Sequence, residues 1–192
     1  MAARYWLLQL VRAIVAAAAG VAITLDQQHT AAFGIDAFAT FAIVGGVVVA
    51  SFWFFADAAG RALWLIQGLV GIAAGIVTLV VHEGGLGALL YGVSVWALLT
   101  GALELLGGWR ARRAAGAASA PEALAARDRV VVGAATVVIA IVYLVIPADN
   151  RLDVGLFGVY AIVLGVFLAI GALSLKWAKP GEAAPQNSES HA

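Results

Sequence analysis

The chain has 192 residues, 64% of them apolar (about 123), only 11% charged, and a mean hydropathy of +1.00. A soluble domain is about half apolar and a quarter charged, so that class is excluded together with intrinsic disorder. Eleven Lys and Arg against eleven Asp and Glu leave no basic excess for a nucleic-acid backbone. No cysteine is present, which removes disulfides, thiolate catalysis, Fe–S clusters and Cys-type zinc sites. Scarce Lys beside abundant Arg, Ala and Gly reads as a GC-rich, bacterial genome.

A helix needs roughly 20 apolar residues to cross a bilayer. Six such stretches follow one another, at about 5–25, 33–56, 62–82, 86–109, 129–147 and 154–177. None alternates polar and apolar residues as a barrel strand must. The expected fold is an all-α membrane protein, a six-span transmembrane domain over 1–179. Arg4, the apolar run and the small residues near Ala19 raise a cleaved signal peptide. Arg12 interrupts that run, and its length fits a span better. Between spans four and five, 110–128 reads as a cytoplasmic loop rich in Ala and Arg. Ser119-Ala120-Pro121-Glu122 within it has the spacing of a capping box that starts a helix running into span five. The polar stretch 180–192 reads as a disordered tail.

Ten of the eleven basic residues fall on one side: Arg4, Arg12, Arg61, Arg110, Arg112, Arg113, Arg127, Arg129, Lys176 and Lys179. Arg151 alone falls on the other. The positive-inside bias then puts both termini in the cytoplasm of a bacterial inner membrane. The outer connections carry Asp26, His29, Asp36, His82, Glu83, Asp149 and Asp153.

The even spans share a motif: Phe41-Ala42-Ile43-Val44-Gly45-Gly46, Trp96-Ala97-Leu98-Leu99-Thr100-Gly101 and Tyr160-Ala161-Ile162-Val163-Leu164-Gly165, at offsets of 55 and 64 residues. In the odd spans, Trp6-Leu7-Leu8-Gln9 matches Trp64-Leu65-Ile66-Gln67, and Gly71 aligns with Gly133. The chain therefore reads as three helical hairpins, about 5–56, 62–109 and 129–177, in parallel repeat about an axis along the membrane normal. Ala42/Gly46, Ala97/Gly101, Ala161/Gly165 and Gly71/Gly75 are each four apart on one helix face. Small residues so spaced let helix backbones approach closely where lipid removes the hydrophobic drive. Lining a pore or pocket is the rarer use of such a face.

The three hairpins, the run Gly71-Ile72-Ala73-Ala74-Gly75-Ile76 and the stretch Trp96-Ala97-Leu98-Leu99-Thr100-Gly101-Ala102-Leu103-Glu104 resemble the HdeD family of bacterial acid-resistance membrane proteins, best over about 61–113. The resemblance implies a six-span inner-membrane protein of stress or envelope physiology, with no catalytic motif to transfer.

Ionisable residues inside a membrane are costly and point to function. Arg12 lies about seven residues into span one, and Glu104 lies five residues before Trp109. At 1.5 Å per residue both sit roughly 7–10 Å deep from the same side, so they can pair. Snorkelling of Arg12 and a proton or ligand site are the alternatives. Gln9 and Gln67 read as interhelical hydrogen-bonding groups. Tyr5, Trp6, Trp53, Trp64, Trp109 and Trp177 read as an interfacial belt. The basic 110–129 segment suits anionic lipid. His29, His82 and Glu83 with the outer carboxylates offer pH response or metal binding. However, a hydrated loop carries such residues anyway, and no spaced metal motif accompanies them. Gly84-Gly85-Leu86-Gly87 is a turn without the Lys and Ser/Thr of a phosphate loop.

No cofactor, metal site or catalytic arrangement is read from the chain. The expected partners are the lipid bilayer and a second copy or another membrane protein. The expected function is a non-enzymatic membrane module. A small transporter or channel is the alternative, with Arg12/Glu104 and the outer carboxylates as its polar path.

Overall fold

The computed structural model describes residues 2–56, 58–114 and 120–177. The tail 180–192, Lys179, Ser119 of the expected capping box and the side chain of Arg4 lie outside the described residues. Six long helices follow in order: α1 (Ala2–Leu25), α2 (Ala31–Ser51), α3 (Ala58–Val80), α4 (Gly85–Ala114), α5 (Ala120–Val145) and α6 (Asn150–Trp177). Short 3-10 turns follow α2 (Phe52–Phe54) and precede α4 (His82–Gly84). Each of the six is long and apolar enough to cross a bilayer, and no strand occurs among the described residues. The chain is a multi-pass membrane protein.

Local chemistry sets the ends. The Thr30 hydroxyl accepts from the Phe33 amide at 3.3 Å and caps α2. Asp149 Oδ1 accepts from the Leu152 amide at 2.9 Å and starts α6 after Pro147. Gly85, at φ 56°, turns the chain into α4, in a backbone region that disfavours a side chain. The expected 110–128 loop is mostly helical: α4 continues to Ala114 and α5 begins at Ala120. Ala is the best helix former and fills this segment.

The closest helix pairs are α4 with α5, α1 with α6 and α2 with α3, while α1–α2, α3–α4 and α5–α6 touch less. Small residues explain the choice. A methyl on Gly46 would lie 2.6 Å from the Gly68 carbonyl of α3, one on Gly101 would lie 3.0 Å from the Gly133 carbonyl of α5, and one on Gly165 would lie 3.1 Å from the Ala13 carbonyl of α1. Gly71 and Gly75 likewise press on Ala42 and Ala39 of α2. Backbones this close admit nothing larger than hydrogen. Gly133 meets Gly101 and Leu105 of α4, and Gly68 meets Gly46 and Ala50 of α2, each pair four apart.

The even helices bury a larger share of their most apolar stretch than the odd helices and so form the interior. There the motif aromatics converge: Phe41 and Trp96 rings pack edge-on at 5.3 Å, and Trp96 and Tyr160 at 6.3 Å. Phe38 and Phe157, both fully buried, meet edge-on at 5.5 Å. A separate apolar cluster of Tyr5, Leu8, Val49, Phe52, Trp64 and Leu175 closes the end where α1 begins and α6 ends. Two members of the expected interfacial belt, Tyr5 and Trp64, are thus core residues, 7% and 3% exposed, whereas Trp109 and Trp177 are more than half exposed.

Candidate functional site: a buried arginine–glutamate–arginine node

Between the aromatic interior and the terminal cluster lies the polar centre of the molecule. Glu104 of α4 is 2% exposed, and three other helices reach it. Arg12 of α1 brings Nη2 to 2.8 Å from Oε1. Gln67 of α3 donates through Nε2 to the same oxygen at 2.9 Å, and Arg129 of α5 donates through Nε to Oε2 at 2.9 Å. Both carboxylate oxygens are therefore engaged, with two formal positive charges against one negative. Arg12 donates further to Gln9 at 3.2 Å, one helical turn back. Gln9 orients the guanidinium, while Gln67 makes the interhelical bond.

The sequence places Arg129 at the end of a basic segment, 110–129, expected on the cytoplasmic side. Instead its guanidinium is stacked 4.2 Å above the Trp64 ring. A methyl at Gly107 would run into Nη2, so the absence of a side chain at Gly107 makes the slot. A cation over an indole face, desolvated, gains on the order of 2 kcal/mol. The signal in the sequence was the glycine pair Gly107-Gly108 opposite the start of span five, where one glycine admits the α5 backbone and the other the arginine. Arg61, Arg113 and Lys176 instead stack on Trp53, Trp109 and Trp6 at 4.9, 4.0 and 5.0 Å.

A cavity of about 50 Å³ adjoins the node. Its polar wall is Arg12, Gln67, Thr100, Glu104, Thr136 and Tyr160, and its apolar wall includes Phe41, Trp96 and Leu164. Thr136 and Tyr160 share a hydrogen bond of 2.9 Å. A methyl at Gly45 would meet nothing within 4 Å, so that glycine opens onto free space inside the bundle. This volume suits about three to five waters at roughly 10–15 Å³ each.

The outer-loop residues are not gathered into a site. His82 and Glu83 are exposed, and His82 Nδ1 lies 3.0 Å from the Leu79 carbonyl. The His29 amide is bound by Asp26 Oδ2 at 2.8 Å in a local turn. Asp153 is fully buried, accepts from the Asp149 amide at 2.9 Å, and its own carbonyl accepts from the Tyr143 hydroxyl at 2.5 Å. Among the described residues no three His, Cys, Asp or Glu side chains are grouped to hold a metal ion.

Compared with known proteins, the chain matches no family model, no curated protein and no solved structure.

Proposed function

We propose that the chain is a non-enzymatic, multi-pass module of a bacterial inner membrane, with both termini cytoplasmic, acting in envelope or acid stress as the HdeD resemblance implies. Three hairpins in parallel repeat build it. The glycines Gly46, Gly101 and Gly165, each pressed on the first helix of the next hairpin in a closed cycle, support that architecture. Its partners are the bilayer and a second copy or another membrane protein.

One observation carries the reading as a module: the Arg12–Glu104–Arg129 node has packed aromatic layers on both sides. Phe38, Phe41, Trp96 and Phe157 stand between it and the outer carboxylates, and Tyr5, Phe52 and Trp64 stand between it and the terminal end. A carboxylate with both oxygens bonded has its hydrogen-bonding capacity turned to holding helices together. The rival reading, a small transporter or channel, has the cavity in its favour. It must also move four interlocked aromatic rings to join that cavity to the outer face.

Proteoliposomes carrying an imposed pH gradient separate the two. The module reading expects native protein and Glu104→Gln to dissipate the gradient no faster than protein-free vesicles. A proton flux in the native protein that Glu104→Gln abolishes overturns it. The stress role has its own test: deleting the gene in its host lowers survival after acid challenge, and unchanged survival removes that part of the proposal.

A further inference from the structure

The hydrogen bonds around the cavity leave one kind of capacity unused. The Thr100 hydroxyl gives its proton to the Trp96 carbonyl at 2.6 Å, and Thr136 gives its own to the Val132 carbonyl at 2.7 Å. In the 2.9 Å contact between Thr136 and Tyr160 the donor is therefore Tyr160. Every hydroxyl proton on the wall is spent. Gln67, 4% exposed, uses its amide nitrogen on Glu104, while its Oε1 is buried without a partner among the described residues. The free group on the wall is thus an acceptor. Two guanidiniums against one carboxylate already leave the node positive, so a cation is repelled from the same space. Of the lining residues only Arg12, Val15 and Gly45 are part-exposed, all on α1 and α2, so the open side lies between these helices. A solute entering there passes through hydrocarbon, which favours a neutral one.

From this we propose that the cavity binds a small neutral alcohol of the ethanol or propanol class. Its hydroxyl donates to Gln67 Oε1 and accepts from Arg12, which has N–H groups beyond those given to Glu104 and Gln9. Its carbon end lies on the apolar wall of Phe41, Trp96 and Leu164. One donor meets the one unpartnered acceptor on the wall, and a few non-hydrogen atoms fill a space of about 50 Å³. Gly45 makes the room, since a methyl there would meet nothing within 4 Å. The alcohol adds a ligand to the module and rests neither on the stress role nor on conduction.

The test is thermal unfolding of the full chain in detergent, titrated with ethanol or with acetonitrile. Acetonitrile is a neutral molecule of similar size that has no O–H to donate, so it reports the general effect of an organic solute. At saturation the native protein should unfold at least about 2 °C higher in ethanol than in acetonitrile, as a ligand that binds only the folded state requires. Gly45→Leu fills the cavity without replacing a charged group and should show no difference between the two solutes. Equal Tm values for the native protein in both solutes, or a difference retained in Gly45→Leu, overturn the proposal. Should Gly45→Leu fail to fold, crystals of the native protein soaked in 2-bromoethanol decide. A bromine anomalous peak among Phe41, Trp96 and Leu164 supports the site, and a cavity holding only water refutes it.

Discussion

The half of the bundle where α1 begins and α6 ends and the half that holds the His29, His82 and Asp149 loops satisfy buried polar groups in different ways. In the loop half the bonds are mostly local: Thr78 bonds back to Ala74 at 2.8 Å, Asp153 takes the amide of Asp149, and the helices are capped by Thr30 and Asp149, while the Tyr143 hydroxyl joins α5 to the Asp153 carbonyl of α6. In the terminal half they span the fold: Gln67 and Arg129 reach Glu104 from 37 and 25 residues away, and Arg12 reaches it from the first helix. Local bonds form within a helix whether or not its neighbours are right. Long-range charged bonds form only when four helices stand in the correct register, so that half specifies the arrangement. The loop half then contributes packing, through Phe38 and Phe157.

The contrast can be broken most severely at Glu104. Glu104→Gln leaves two buried guanidiniums facing each other and should cost about 3–5 kcal/mol, the range for removing one partner of a buried pair. Arg12→Gln leaves Glu104 balanced by Arg129 and should cost less, about 1.5–3 kcal/mol, as for a hydrogen bond to a charged group. Unfolding by denaturant in micelles reads both, and the reverse order would show that Arg129 does not carry the charge of Glu104. In the loop half Phe157→Ala should cost about 3–5 kcal/mol through cavity formation alone. Gly107→Ala comes next, at about 1–3 kcal/mol for overpacking. It should also displace Arg129 from Trp64, visible as a change in tryptophan emission.

The smallest effect sharpens the comparison most. Gly45 and Gly46 are adjacent, but one opens on the cavity and the other touches the α3 backbone. Gly45→Ala should stabilise by about 0.5–1 kcal/mol through helix propensity, whereas Gly46→Ala should destabilise. Equal signs would contradict the packing of α2 on α3.

Much of this was legible in the sequence. Six spans follow from apolar length, and the common depth of Arg12 and Glu104 followed from counting residues to the nearest span end. The small-residue faces were visible too, but spacing marks a face and not the helix it meets. It therefore left open that α2 chooses α3 over its hairpin partner α1. Gln9 and Gln67 share a tetrapeptide context yet do different work, because Arg12 stands between Gln9 and Glu104. Arg129 was the hidden part of the node, and Tyr5 and Trp64 the hidden part of the cluster beside it. An arginine closing a basic segment, and aromatics near span ends, have the composition of an interface. Only the glycine slot at Gly107 and the stacking on Trp64 draw them inside. Burial of these side chains is a property of tertiary packing, and hydropathy along the chain does not carry it.

The central claim is that the charge of Glu104 is a shared structural lock. A double-mutant cycle on Arg12→Gln and Glu104→Gln measures it most directly, by equilibrium unfolding of the native chain, the two single variants and the double variant. Coupling predicts a double-variant loss smaller than the sum of the single losses by at least about 1 kcal/mol, the behaviour of residues in one ion network. Strictly additive losses would contradict the lock.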